Sequence, residues 1–294
     1  MNNMSPAPVP PHAGTVDFVS GRTRLYGIVG HPIRQARSPA TLTYELRRRG
    51  HDALLVPIDI APYDFDAVFP QLLKVGNLDG LVVTVPHKAR AAAHMKRVGP
   101  MAAVCRAVSV LGRCRDGWVG EMFDGAGCVT AIESRGVRVG GRRVQLLGGG
   151  GAGSAIAAEL ARKGVSMLRL VEPDRPRGEA LVRALRDAYP ASHIFLGASD
   201  LSDIDILINA TPVGMLDPDA APIDDLAIPA SVVVMDAIMD PERTKLLRTA
   251  EACGCVCVYG REMLESQVVR ACDFLLRARE HSIGDFVFHP DGIS

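Results

Sequence analysis

Residues 146–155 read LLGGGGAGSA, a glycine-packed turn between the apolar run Val144–Leu147 and the small-residue run Ala152–Leu160. Glycines are needed where a strand turns sharply into a helix, so that main-chain N–H groups at the helix start can approach a pyrophosphate without Cβ interference. Gly148, Gly150, Gly151 and Ala152 are therefore candidates for dinucleotide binding, with a plain glycine loop as the alternative. Glu172 follows 24 residues after Gly148, at the end of the next strand-like run. A carboxylate in that place accepts hydrogen bonds from the adenosine ribose of NAD and repels the 2′-phosphate of NADP; its bland reading is a solvated acid at a strand end. Arg175 and Arg177 come next, and their guanidinium groups could hold such a phosphate if Glu172 pointed away. On this reading NAD is the preferred cofactor and NADP stays open.

Two further stretches carry candidate chemistry. In GLVVTVPHK, residues 80–88, an apolar strand runs out at Pro86 and presents Thr84 and Lys88 near its C-terminal end, where α/β sheets bind ligands. Asp124, in EMFDGAG, stands where a strand hands over to a helix that bridges to the second half of the chain. Separately, each has an ordinary role: a lysine is usually surface charge, and aspartate is a good helix N-cap.

The chain that must position these groups has 294 residues, 48% of them hydrophobic and 22% charged, which suggests about two globular domains. Lys plus Arg equals Asp plus Glu at 33 each, so the charge excess of a nucleic-acid or anionic-membrane binder is missing and a small-molecule partner is expected. No stretch has the length of a membrane span, and the start, with Pro6, Pro8, Pro10 and Pro11, carries no signal-like apolar run. Residues 1–22 read as a disordered extension of a cytoplasmic protein. Seven cysteines, an odd number, fit reduced thiols. Cys253, Cys255 and Cys257 alternate along a predicted strand and lack the CxxC turn of zinc sites, so no metal site is expected.

From Arg24 onward strand-like and helical runs alternate: LYGIVG, Pro39–Arg49, ALLVPI, Asp64–Lys74, DGLVVTV and a helical stretch after Pro86. This is the β-then-α order of a parallel or mixed sheet. AVSVL and GWVGE add two strands around a turn, and a helix starts after Asp124. Beyond it RVQLLGG, MLRLVE, HIFL, DILINA, SVVVMD and CVCVYG provide six more strands, as in a doubly wound Rossmann sheet. A last helix, about Met263–Arg279, has apolar Leu264, Val268, Ala271, Leu275 and Ala278 at helical spacing and is expected to return to the first domain. The fold class is thus α/β, an N-terminal α/β domain followed by a doubly wound parallel sheet. The expected division is a first domain over 23–124, completed by 265–294, and a dinucleotide-binding domain over 125–264.

Taken in order, the motifs resemble the shikimate dehydrogenase family over nearly the whole chain after Arg24. GHPIRQARSP at 30–39 resembles that family's substrate loop, and TVPHK at 84–88 and FDGAG at 123–127 its catalytic segments. LGGGGAGSA resembles its cofactor turn, NATPVGM at 209–215 the loop that follows, and GREMLESQ at 260–267 its closing helix. The resemblance implies a substrate domain first, a nicotinamide-binding domain second and Lys88 with Asp124 as the catalytic pair. It also implies Ser38, Thr84, Ser109 and Gln267 as substrate contacts, and Thr211, Ala237 and Gly260 beside the cofactor. A positioned base contributes about 10² to 10⁴ in rate when an alcohol loses hydride and proton. Lysine accepts that proton only when neutral.

On the substrate side the chain departs from the family pattern. Of the two serines expected in the substrate loop, one is Ala36 and the other is kept as Ser38; expected asparagines are Val82 and Ser109, and an expected tyrosine is Met239. Ahead of Asp124, Met122 and Phe123 replace an asparagine and a threonine. The implied function is hydride transfer between a nicotinamide and a ring hydroxyl of shikimate, quinate or a related hydroxylated ring acid, with altered specificity. Arg34 and Arg37 are candidates to help bind an anion. A catalytically weak nicotinamide-binding regulatory protein is the alternative, and an amino-acid-dehydrogenase-like enzyme a third reading. The assembly is not set by the sequence; a homodimer is one that such a chain could form.

Overall fold

Near-continuous apolar runs form strands that are covered on both faces, and such runs build two six-stranded sheets. The computed structural model describes residues 19–34, 36–223 and 227–289. The first sheet holds β1 (Arg24–Gly30), β2 (Ala53–Asp59), β3 (Leu78–Val83), β4 (Arg97–Val98), β5 (Val110–Cys114) and β6 (Gly117–Glu121), in the order β2-β1-β3-β5-β6-β4. Strands β1, β2 and β3 run parallel and β5 turns antiparallel to β3. Its helices are α1 (Ser38–Arg48), α2 (Phe65–Leu72), α3 (Lys88–Ala93) and α4 (Pro100–Cys105). The single helical stretch expected after Pro86 is therefore broken into α3, β4 and α4. Gly99 and Pro100 fix where the second helix begins: proline cannot continue a helix interior but suits the first turn, where it stands in α4.

Helix α5 (Asp124–Ser134) leads to the second sheet, which contains β7 (Arg143–Leu147), β8 (Met167–Val171), β9 (His193–Leu196), β10 (Ile206–Asn209), β11 (Val233–Asp236) and β12 (Val256–Val258). Their order is β12-β11-β10-β7-β8-β9, every pairing parallel, with α6 (Gly151–Arg162), α7 (Arg175–Ala188) and α8 (Lys245–Ala252) between them. The order reverses between β7 and β10, the switch point at which open α/β sheets bind ligands. β12 is shorter than the alternating cysteines suggest. Helix α8 runs to Ala252 and Gly254 takes a left-handed φ of +81°, so Cys253 and Cys255 lie in a turn and only Cys257 is in the strand.

Helix α9 (Gly260–Glu280) runs back over the first sheet. Its Leu264, Val268, Ala271, Phe274, Leu275 and Ala278 share one core with Tyr26, Leu42, Val110 and Phe123. Small residues on the sheet allow this: a Cβ at Gly80 would lie 2.3 Å from Leu275, and one at Gly112 would lie 2.5 Å from Ala278. The expected extension over 1–22 falls outside the described residues up to position 18, as does the end of the chain from 290.

Strand β6 ends on Glu121, 6% exposed, whose carboxyl accepts hydrogen bonds from the backbone N–H groups of Ala102 and Met122 at 2.8 Å each. Burial nevertheless pushes its pKa up from 4.5 to about 7. The folded chain then holds this proton more tightly than the unfolded chain. The resulting stabilisation is complete below pH 4.5 and is lost as pH rises through about 7, with a full effect of about 3 kcal/mol. Glu121→Gln, which cannot titrate, is expected to lose less stability than the wild type over this window, read as Tm against pH. A constant wild-type-to-variant gap from acid to neutral pH would refute the assignment.

Candidate active site

Lys88 and Asp124 follow β3 and β6, two strands that run in the same direction on either side of β5. Lys88 opens α3, and Asp124 opens α5, where Phe123 takes the N-cap position without a side-chain cap. Instead of capping, the Asp124 carboxylate accepts a hydrogen bond from Lys88 Nζ, in an ion pair whose side chains are only 12% and 5% exposed. Hydrogen bonds from Ala91 N–H to the His87 carbonyl and from Val108 N–H to the Lys88 carbonyl hold the lysine backbone. The neighbouring His87 side chain is buried, stacked on Phe65 with centroids 4.3 Å apart, and its Nε2 lies 2.6 Å from the Ile60 carbonyl oxygen.

The glycine turn lies directly beside this pair. A Cβ at Gly151 would be 3.4 Å from Lys88 Cδ, so the lysine stem packs against the start of α6. Gly148 has a φ of +93°, open to glycine, and a Cβ on it would press within 2.9 Å of Thr211 across the switch point. Gly150, by contrast, faces open space. The first-turn N–H groups of α6 have no partners within the helix and border that space, an arrangement that fits the diphosphate of a dinucleotide. Glu172 is not a solvated acid: its side chain is 5% exposed and accepts hydrogen bonds from Gly149 N–H at 2.7 Å and Asp174 N–H at 2.8 Å. Arg177 pairs with both Glu172 and Asp174, at 3.1 and 3.4 Å. Arg175, 80% exposed, bonds Glu179 four residues along α7.

Between the two sheets lies a cavity of about 210 Å³. It brings together Ser38, Thr84, Lys88, Ser109, Asp124, Ala152, Ala237, Gly260 and Gln267, which lie far apart in the chain. Gln267 lies on α9 against Gly127, where a Cβ would meet its Cγ at 2.4 Å. Ser109 Oγ accepts the Phe123 N–H at 2.8 Å. Arg37 reaches Asp240 at 3.4 Å with both side chains more than half exposed, and Arg34 is exposed; neither lines the cavity.

A family model described as the shikimate dehydrogenase substrate binding domain matches residues 28–111. The shikimate dehydrogenase (NADP(+)) of Anaeromyxobacter dehalogenans is 35% identical over 257 residues, which cover 85% of this chain and 90% of that protein. The chain belongs to the shikimate dehydrogenase family. Among solved structures, ligand-free 5-ketofructose reductase of a Gluconobacter strain matches with a TM-score of 0.79 and 28% identity, covering 88% of this chain and 94% of its own. A quinate dehydrogenase from Corynebacterium glutamicum in complex with NAD matches with a TM-score of 0.76 and 25% identity over 88% of this chain and 98% of its own.

Within this family frame, three residues that sequence reading passed over have clear structural work. Gly153 completes a G-x-G-x-x-G register with Gly148 and Gly150, and a Cβ on it would lie 2.0 Å from the Gly148 carbonyl oxygen. The run of four glycines hid that register. Asn209 and Asp236 are buried polar ends of two apolar strands, a legible signal. Asn209 Oδ1 accepts the N–H and the hydroxyl of Thr211, while Asp236 accepts from Asn209, Ile238 N–H and the Thr244 hydroxyl. Together they fix the loops carrying Thr211 and Ala237. Gly153→Ala is expected to cost about 1–3 kcal/mol by forcing α6 off the turn, whereas Gly150→Ala should cost less than about 1 kcal/mol. Chemical denaturation of both variants checks this, and equal losses would contradict the packing described.

Proposed function

We propose that this chain is an NAD(P)-dependent oxidoreductase of the shikimate dehydrogenase type, moving hydride between nicotinamide and a ring hydroxyl of shikimate, quinate or a related hydroxylated ring acid. The observation that carries this reading is the buried Lys88–Asp124 pair on a wall shared by the cavity and the glycine turn. In this division of labour, residues 23–124 with 265–294 form the substrate domain and 125–264 the dinucleotide domain.

A bound nicotinamide supplies the hydride donor or acceptor. Lys88 exchanges the proton at the substrate oxygen: its ammonium donates during ketone reduction, and its neutral amine accepts during alcohol oxidation. Asp124 holds Nζ at the cavity wall and balances the ammonium charge. Ser38, Thr84, Ser109 and Gln267 orient the ring, and the low-dielectric surroundings strengthen each polar contact. Gly148, Gly150, Gly151 and Ala152 form the diphosphate cradle, with Thr211, Ala237 and Gly260 lining the way to the cavity.

NAD is the favoured cofactor. The Glu172 carboxylate occupies the strand end where a 2′-phosphate would bring like charge against it, and the nearest guanidinium, Arg177, is already shared by two carboxylates. The preference for NAD rests on this local charge.

Steady-state oxidation of shikimate and quinate, each with NAD and with NADP, tests the reading; measurable nicotinamide binding without turnover of any ring alcohol would sink it. Lys88→Ala is expected to lower kcat by about 10² to 10⁴ while leaving nicotinamide Kd nearly unchanged, and an undiminished kcat would remove Lys88 from proton transfer. Glu172→Ala should shrink the NAD-over-NADP ratio of kcat/KM by about tenfold, one lost charge contact. An unchanged ratio would shift the discrimination to Arg177.

A further inference from the structure

The cavity is lined by a few polar groups, Lys88 and Asp124 among them, and by a larger number of apolar ones. Ala36, Val82, Phe123 and Met239 all line it and join one apolar cluster. This wall is held in place from behind. Val82 is paired with Ile28 on β1 and Val110 on β5. Phe123 is 5% exposed, its ring edge-on to Phe274 with centroids 5.5 Å apart, and its N–H is committed to Ser109. Ala36 is fixed through its N–H to the Ile33 carbonyl at 3.0 Å. Met239 is followed by Asp240, which pairs with Arg37 from the substrate loop, and neither of these two charged groups lines the cavity.

None of these four side chains can donate or accept a conventional hydrogen bond. A ring hydroxyl pressed against them loses its water partners without replacement, at a cost of about tenfold in affinity for each such group. A methylene in the same position gains from burial. Building on the hydride-transfer reading above, we propose that the preferred substrate is a ring acid with fewer hydroxyl groups than shikimate. Its reacting hydroxyl lies at Lys88 and Asp124, its carboxylate is left to Ser38, Thr84 and Gln267, and its unsubstituted carbons lie against Ala36, Val82, Phe123 and Met239.

The test is kcat/KM of the wild-type protein for shikimate, quinate and the positional isomers of cyclohexanecarboxylate bearing one ring hydroxyl, with NAD and NADP. The best monohydroxy acid should exceed shikimate by about tenfold or more. Val82→Asn and, separately, Met239→Gln should each lower that ratio, since each adds a partner for a hydroxyl; Met239 is half-buried and its variant is the safer one to fold. A wild-type preference for shikimate or quinate over every monohydroxy acid would overturn the substrate class and leave the hydride-transfer reading standing. No turnover of any ring acid would overturn both. Ratios unmoved in both folded variants would also overturn the proposal, because the wall would then not set the choice.

Discussion

An ammonium and a carboxylate withdrawn from water attract strongly, but their pairing must offset the loss of hydration, which requires close geometry and support from the surrounding backbone. Lys88 and Asp124 meet this condition because each opens a helix at the C-terminal edge of the first sheet. Much of the fold serves to keep those two helix starts together. The β3–β5–β6 ladder places them side by side, α9 covers the sheet beneath them, and the start of α6 closes on the lysine stem through Gly151. Because the same lysine touches both the cavity wall and the glycine turn, proton exchange and nicotinamide binding share one boundary in the proposed mechanism.

The second sheet meets that boundary through polar groups buried at its strand ends. Asn209 and Asp236 satisfy each other and the two loops that follow them, and Glu172 ties the end of β8 to the glycine turn. Buried polar networks of this kind favour one arrangement because a half-satisfied version is costly. The result is a nucleotide-side edge held by satisfied hydrogen bonds, set against a cavity lined largely by apolar residues. In a site of that kind, polar partners can orient a reacting group while hydrocarbon sorts the rest of the substrate.

Most of the fold was legible in the sequence. Apolar runs such as LYGIVG and DILINA became strands, and the glycine turn fell between β7 and α6. The limits were local. The stretch after Pro86 split into two short helices around β4, with Gly99 and Pro100 fixing where the second begins, and the strand expected over the alternating cysteines shrank to Val256–Val258 after the turn at Gly254; glycine and proline act on backbone geometry rather than on hydrophobic pattern. The candidate site was legible as a set of motifs. Their meeting in one cavity was not, since Ser38 and Gln267 lie on different helices far apart in the chain.

By itself the sequence determined the alternation of strands and helices, the family resemblance and the identities of the groups able to exchange a proton or meet a diphosphate. These follow from short-range rules: hydrophobic period, turn chemistry and motif spacing. Only the tertiary structure decided that Asp124 pairs with Lys88 instead of capping its helix, that Glu172 turns inward onto Gly149, and that Arg175 turns away to Glu179. It also gathered Ala36, Val82, Phe123 and Met239 into one apolar cluster that lines the cavity. The reason is physical: a side chain's partner depends on which groups the packed sheets bring within a few ångströms and shield from water, and linear spacing carries neither distance nor burial.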